Sequence, residues 1–324
     1  MIKSYLAISK DNEIVRNSSS GGAFSILTNI KLKENYKIYG CIMDENLKVY
    51  HIDANTEKER NKMRGSKYIQ SNINDSYKKI EKNLKNNEKV VFSGTPCQIA
   101  AIYSYLNIKK IELNNFYTIE IICHGVGSNN FFNDYIKKLE KDYRSKAIIC
   151  NFRSKSRPGK LQDMTVKFEN GKRYHASTTR YDWFYSAYHA NLILRPSCYK
   201  CRFACEKRNA DITIADAWGE NKNISNSLII CNTEKGKLWL NSVREDFYIK
   251  EVNLKKFNIP NMKRPTPKPI NYDEFTQIYI SRGYLEAQRY IGNNKISAKI
   301  KVWIINIADK INLMEILKKF KRGN

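Results

Sequence analysis

The chain has 324 residues, and 57 basic against 32 acidic side chains leave it a net charge of +25, a size that buries one large core or two smaller ones and favours two lobes. The start, Met1-Ile2-Lys3-Ser4-Tyr5-Leu6, lacks the apolar run of a secretory signal, so the expectation is a cytoplasmic protein with reduced thiols. The lysines are scattered along helix-like stretches such as residues 76–85 with no nucleic-acid-binding signature beside them, which excludes nucleic acid as the expected partner and leaves an acidic ferredoxin, a phosphate-bearing cofactor or an anionic membrane surface.

In chain order, Tyr5–Ser9 reads as a strand and Gly22–Ile30 as a helix that opens directly after Ser and Gly, where an N-terminal anion site would sit. Tyr36–Met43 and Leu47–Ile52 flank Asp44-Glu45-Asn46 as a hairpin. The buried strand Val90-Val91-Phe92 breaks at Gly94-Thr95-Pro96 before the helical Gln98–Ile102, and a second apolar strand, Tyr117–Ile122, runs into Cys123. Past a helix at Phe131–Ile136, a second hairpin (Met164–Phe168 and Arg173–Ala176 around Asn170-Gly171) starts the next lobe, which contains the strand Ile212–Ala215. The expected fold is a two-lobed mixed α/β (α+β) structure with a parallel or mixed sheet and flanking helices. Its divisions are an N-terminal lobe, 1–145, a second lobe with the CxxC motif, 146–270, and a helical basic tail, 271–324. In the tail, Ile300, Ile304, Ile307, Ile311, Met314 and Leu317 recur at helical spacing among lysines. That amphipathic helix is too broken by charge to span a bilayer, and packs on the protein or on an anionic membrane surface.

Eight cysteines in a reducing compartment point to metal or redox chemistry more than to disulfides. Cys41, Cys150 and Cys231 lie inside apolar, strand-like runs and read as small core hydrophobes. Cys97 and Cys123 each fall just past a strand end. In a parallel sheet the carboxyl ends of strands face the ligand crevice, so two such turns converge there. Cys198-x-x-Cys201, followed by Cys205, has metal-ligand spacing because a short turn brings two thiolates onto one soft centre. Four thiolates suit zinc or a 4Fe-4S cluster alike. Of the histidines, His51, His175 and His189 stand in strand- or helix-like surroundings and read as surface or hydrogen-bonded side chains.

Six motifs in one order carry a resemblance: Ser18-Ser19-Ser20-Gly21-Gly22-Ala23-Phe24, Arg64-Gly65-Ser66-Lys67-Tyr68-Ile69-Gln70-Ser71, Ser93-Gly94-Thr95-Pro96-Cys97-Gln98, Ile122-Cys123-His124-Gly125, Arg195-Pro196-Ser197-Cys198-Tyr199-Lys200-Cys201 and Asp211-Ile212-Thr213-Ile214-Ala215-Asp216-Ala217-Trp218-Gly219. The chain resembles the coenzyme F-420 hydrogenase/dehydrogenase beta-subunit family over its first two-thirds to three-quarters. The resemblance implies FAD and a 4Fe-4S cluster, with Cys97, Cys123, Cys198 and Cys201 as ligands in preference to Cys205. It implies cofactor contacts from Ser19, Ser20, Gly21, Gly22, Arg64, Gly65, Ser66, Lys67, Gly94 and Thr95, with Asp216 and Trp218 beside the cluster or flavin. Glycines that permit close backbone approach, with Arg and Lys, suit a pyrophosphate. His124, next to a ligand cysteine, is the candidate for a catalytic proton role.

The chain departs from many relatives in lacking a ferredoxin-like segment ahead of the Ser-Gly-Gly motif, and in having Ala215-Asp216-Ala217-Trp218 where Gly-Asp and an aromatic are common. The expectation is therefore an oxidoreductase that joins an external one-electron carrier, an acidic ferredoxin, to a two-electron small-molecule substrate. Many bacterial relatives sit in surface-polysaccharide gene clusters. The competing reading is a non-catalytic cluster- or zinc-binding accessory protein of glycan assembly, told apart by flavin absorbance.

Overall fold

The computed structural model describes residues 3–155, 163–175, 182–217 and 226–291. Five strands come first: β1 (Lys3–Ser9), β2 (Tyr36–Met43), β3 (Val49–Ala54), β4 (Lys89–Gly94) and β5 (Phe116–Ile121). The chain then builds a separate antiparallel sheet from β6 (Ala147–Ser154), β7 (Asp163–Phe168) and β8 (Arg173–His175), and returns with β9 (Ile212–Asp216), β10 (Ser227–Cys231) and β11 (Phe247–Val252). The large sheet has the order β11-β1-β10-β9-β5-β4-β2-β3. Its centre, β2, β4, β5 and β9, is parallel, and antiparallel pairs complete both sides. The mixed α/β class matches the sequence reading. The chain crosses the expected division near 145 twice, however, because strands from beyond residue 211 complete the sheet begun by β1.

Alternation along β4 explains why it sits at the centre. Val90 and Phe92 face one apolar cluster with Ile99, Ile102 and Leu106, while Val91 faces the other with Ile26, Ile38 and Ile119, so both faces are covered. The helix Pro96–Ile108 that follows β4 starts where its residues favour a start: Pro96 lies in the first turn, and Thr95 and Gln98 form a reciprocal capping box. A third core lies under the small sheet, where Phe131, Phe132, Tyr135, Ile136 and Leu139 form one buried stripe of the helix Asn129–Tyr143. They pack against Phe152, Phe168, Phe184 and Tyr185. The hairpin around Asn170-Gly171 forms as expected, with Gly171 at φ +80°. The amphipathic tail expected between Ile296 and Phe320 lies outside the described residues, and among those residues no helix is long and apolar enough to cross a membrane.

Candidate cluster and nucleotide site

Parallel pairing of β4 with β5 puts Gly94 opposite Glu120, and each strand is followed by a cysteine three residues beyond that pair, Cys97 and Cys123. Both open onto a cavity of about 1100 Å³ at the carboxyl ends of these strands, and Cys198 and Cys201 line the same cavity. That volume lies just above the range of ordinary small-molecule sites, roughly 300–1,000 Å³. Cys97 lies in the first turn of its helix and is exposed, with Thr95 Oγ1 3.2 Å from its sulfur. Burial first, then the neighbouring Cys198 and Cys97, push the Cys123 thiol up to about 12, and burial raises Cys198 as well. Gly125, at φ +140°, permits this approach: a Cβ there would lie 3.3 Å from the Cys198 Cβ. Among the described residues no group of three His, Cys, Asp or Glu side chains is gathered in the way that holds a single metal ion. The four thiols are therefore neighbours around a space and not closed on a point.

The other cysteines divide. Cys205 does not line the cavity, and its thiol donates to the Lys207 carbonyl at 3.3 Å. Cys231 is buried and Cys150 packs against the aromatic core. Cys41 packs on that core too, but it also borders the cavity.

A buried ion pair anchors the CxxC segment. Arg208 Nε donates to Glu120 of β5, while its Nη1 donates to the carbonyls of Phe203 and Cys205. Both side chains are 1% exposed. The pair ties the strand that leads to Cys123 to the loop that follows Cys201. Sequence reasoning missed it, since the partners are 88 residues apart and neither stands in a recognisable motif.

The Ser-Gly-Gly loop and the Arg64–Lys67 turn meet and line the cavity together. Ser66 donates to Ser19 Oγ from its backbone N–H at 2.9 Å and from its hydroxyl at 3.0 Å. Three further side chains here bind the protein itself. Ser18 Oγ donates to the Ile14 carbonyl at 2.7 Å and Ser20 Oγ to the Asn226 carbonyl at 2.6 Å. Lys67 directs its ammonium at the carbonyls of Cys41, Met63 and Arg64. Gly21 serves packing, since a Cβ would lie 2.4 Å from the Ala7 carbonyl oxygen, and it is absent from the cavity lining. Gly22 at φ +93° and Gly65 at φ +83° hold their turns in the left-handed region. Gly94 and Thr95 line the cavity, and the Thr95 N–H donates to Gln98 Oε1.

His124 stands on the cavity wall with both ring nitrogens near partners, Nε2 2.7 Å from Asn191 Oδ1 and Nδ1 3.4 Å from Thr266 Oγ1. Asp216 lines the cavity and pairs with the buried Arg153. Trp218 lies outside the described residues. His51, of the two roles its sequence context allows, has the hydrogen-bonded one: Nε2 faces the Ser93 carbonyl, an acceptor only, so Nε2 carries the proton and Nδ1 accepts from Ser71 Oγ. Burial lowers its pKa to about 4.

Residues 87–256 match the family described as the C terminus of the coenzyme F420 hydrogenase/dehydrogenase beta subunit, and the chain belongs to that family. No curated protein matches the chain. Among solved structures it is similar to a chain of the F420-reducing [NiFe] hydrogenase complex from Methanosarcina barkeri, with 17% identity, a TM-score of 0.51, and coverage of 91% of this chain and 92% of that one. At that identity the likeness is one of fold.

Proposed function

We propose that the protein is an iron-sulfur flavoprotein oxidoreductase. In this reading Cys97, Cys123, Cys198 and Cys201 hold a 4Fe-4S cluster, FAD fills the adjoining cavity, and an acidic one-electron carrier such as ferredoxin is coupled to a small organic substrate. The observation that carries the reading is the meeting of four cysteines from three separated segments on one cavity at the ends of parallel strands. The donor set fits such a group. Thiols that burial and one another hold in the neutral form ionise readily only beside concentrated positive charge. A single tetrahedral ion draws all its thiolates to about 2.3 Å, whereas thiols arranged around a space suit a polynuclear centre.

When bound, the cluster supplies single electrons and the flavin exchanges two. The chain's own residues hold and orient. Arg208 and Glu120 fix the CxxC loop against β5, and Gly125 lets the Cys123 and Cys198 turns close on each other. His124, its ring fixed by Asn191 and Thr266, carries the proton that accompanies substrate reduction. Cys97 is the exposed one of the four, and in this reading an outside carrier approaches the cluster there. A place in surface-polysaccharide biosynthesis follows from the resemblance alone. Protein purified without oxygen should be brown, release FAD on denaturation and contain about four irons and four sulfides per chain. Stoichiometric zinc with no sulfide overturns the reading.

A further inference from the structure

Two segments distant in sequence, residues 195–207 and 253–266, dock on the turn that follows Cys123. The Arg195 N–H donates to the Val126 carbonyl at 2.9 Å, and Thr266 Oγ1 donates to the His124 carbonyl. Both segments border the cavity, the first through Cys198, Cys201 and Phe203, the second through Phe257, Ile259 and Thr266. Their charge is one-sided. In the first, Arg195, Lys200, Arg202 and Lys207 are exposed against the single acid Glu206; in the second, Lys255, Lys256, Lys263 and Arg264 are exposed and there is no acid. Among the described residues none of these cations pairs with a carboxylate, whereas helix lysines such as Lys79, Lys85 and Lys138 each face an acid one turn away. Only Arg195 among them lines the cavity. A small anion inside would therefore meet one of these charges, and the others present themselves outward. An extended acidic surface is what such an arrangement attracts, because opposite potentials across a contact steer encounter and fix orientation.

We propose that these two segments form the docking surface for an acidic protein that carries a one-electron centre. The proposal deepens the flavoprotein reading and rests on it for what the partner exchanges. Position favours a redox protein over an anionic lipid layer: the two segments and the exposed Cys97 border one cavity, so a protein seated on the cations brings its centre close to the four thiols. A bilayer seated there would cover the cavity with no electron to exchange. The contact has an aromatic group as well as charge, since the Arg202 guanidinium lies 5.6 Å from the centre of the partly buried Phe203 ring.

The test is titration calorimetry of the full chain, purified without oxygen, with an acidic bacterial-type ferredoxin at low ionic strength and, separately, with vesicles of phosphatidylglycerol in phosphatidylcholine. Three double variants change net charge equally: Arg202→Glu with Lys207→Glu, Lys263→Glu with Arg264→Glu, and, as the control, Lys78→Glu with Lys82→Glu on the helix Ser76–Lys85. Each of the first two should weaken ferredoxin more than about tenfold and flatten its salt dependence, while the control stays within about twofold of the wild type. The Lys263 and Arg264 pair lies outside the cysteine segment, so its effect does not pass through the cluster ligands. Binding is read as heat and needs no cofactor: ferredoxin bound at this surface by a chain without cluster or flavin removes the flavoprotein reading and leaves the surface standing. A protein that holds both cofactors but binds ferredoxin equally in all variants, or not at all, overturns the proposal and leaves that reading intact. Vesicle binding that falls in the first two variants while ferredoxin is ignored assigns the surface to lipid and overturns the proposal as well.

Discussion

The two groups of residues that line the cavity are built in opposite ways. The cysteine group joins three segments that are distant in sequence, and a buried ion pair between Glu120 and Arg208 holds two of them, those of Cys123 and of the CxxC, in register. The Ser-Gly-Gly group is instead tied down by several separate hydrogen bonds, mostly to backbone carbonyls, with Ser18 reaching Ile14, Ser20 reaching Asn226, and Lys67 reaching Cys41, Met63 and Arg64. The first depends on packing at long range and should fail as a unit. The second spreads its attachment over several separate hydrogen bonds and should tolerate loss of single hydroxyls.

The largest effect is expected at the thiols. Cys198→Ser or Cys201→Ser should remove nearly all cluster iron, since a hydroxyl lacks the softness of a thiolate, while Cys205→Ser, outside the cavity, should retain it. Iron and sulfide analysis decides. Retention in the first two with loss in the third would transfer the ligand role to Cys205.

Next comes the ion pair. Arg208→Met strands the buried Glu120 carboxyl, whose pKa burial already raises, and should cost about 3–5 kcal/mol in denaturant unfolding. Ser18→Ala, by contrast, removes one neutral bond at the loop and should cost only about 0.5–1.5 kcal/mol. Equal costs would erase the distinction between the two groups.

A third effect is a pH slope. The His51 ring is buried against Phe92, faces Ser71 and Ser93, and feels the Lys67 ammonium. Its folded pKa is lowered to about 4, below the ordinary ~6.5. As pH falls, the unfolded chain therefore takes up the proton first. The stability that neutral His51 confers is complete above ~6.5 and is lost progressively down to about 4, on the order of 3 kcal/mol in all. Urea midpoints between these limits should fall steeply in the wild type and less so in His51→Gln. Parallel slopes would show that other groups dominate.

The smallest effect concerns the partner. With +25 net charge, reduction by an acidic ferredoxin should slow severalfold as salt rises, whereas reduction by dithionite should not show that ferredoxin-specific loss. Stopped-flow absorbance measures both, and a salt-independent ferredoxin rate discards steering.

Much of this architecture was readable along the chain. Strand periodicity located β1, β2, β4, β5 and β9, and the breaks at Gly94-Thr95-Pro96 and Cys123-His124-Gly125 put two cysteines at strand ends, because side-chain alternation and turn chemistry act over a few residues. The return of β9–β11 to the first sheet, the pairing of Arg208 with Glu120 and the placing of Cys41 on the cavity were not readable, since each depends on which distant segments become neighbours. Ser18, Ser20 and Ser25 show the same limit at the scale of one hydroxyl. Sequence marks a serine as able to donate, but whether that donor is taken by a carbonyl or left facing a cavity depends on the packed surroundings, where an unmade hydrogen bond is costly and geometry alone assigns the partners.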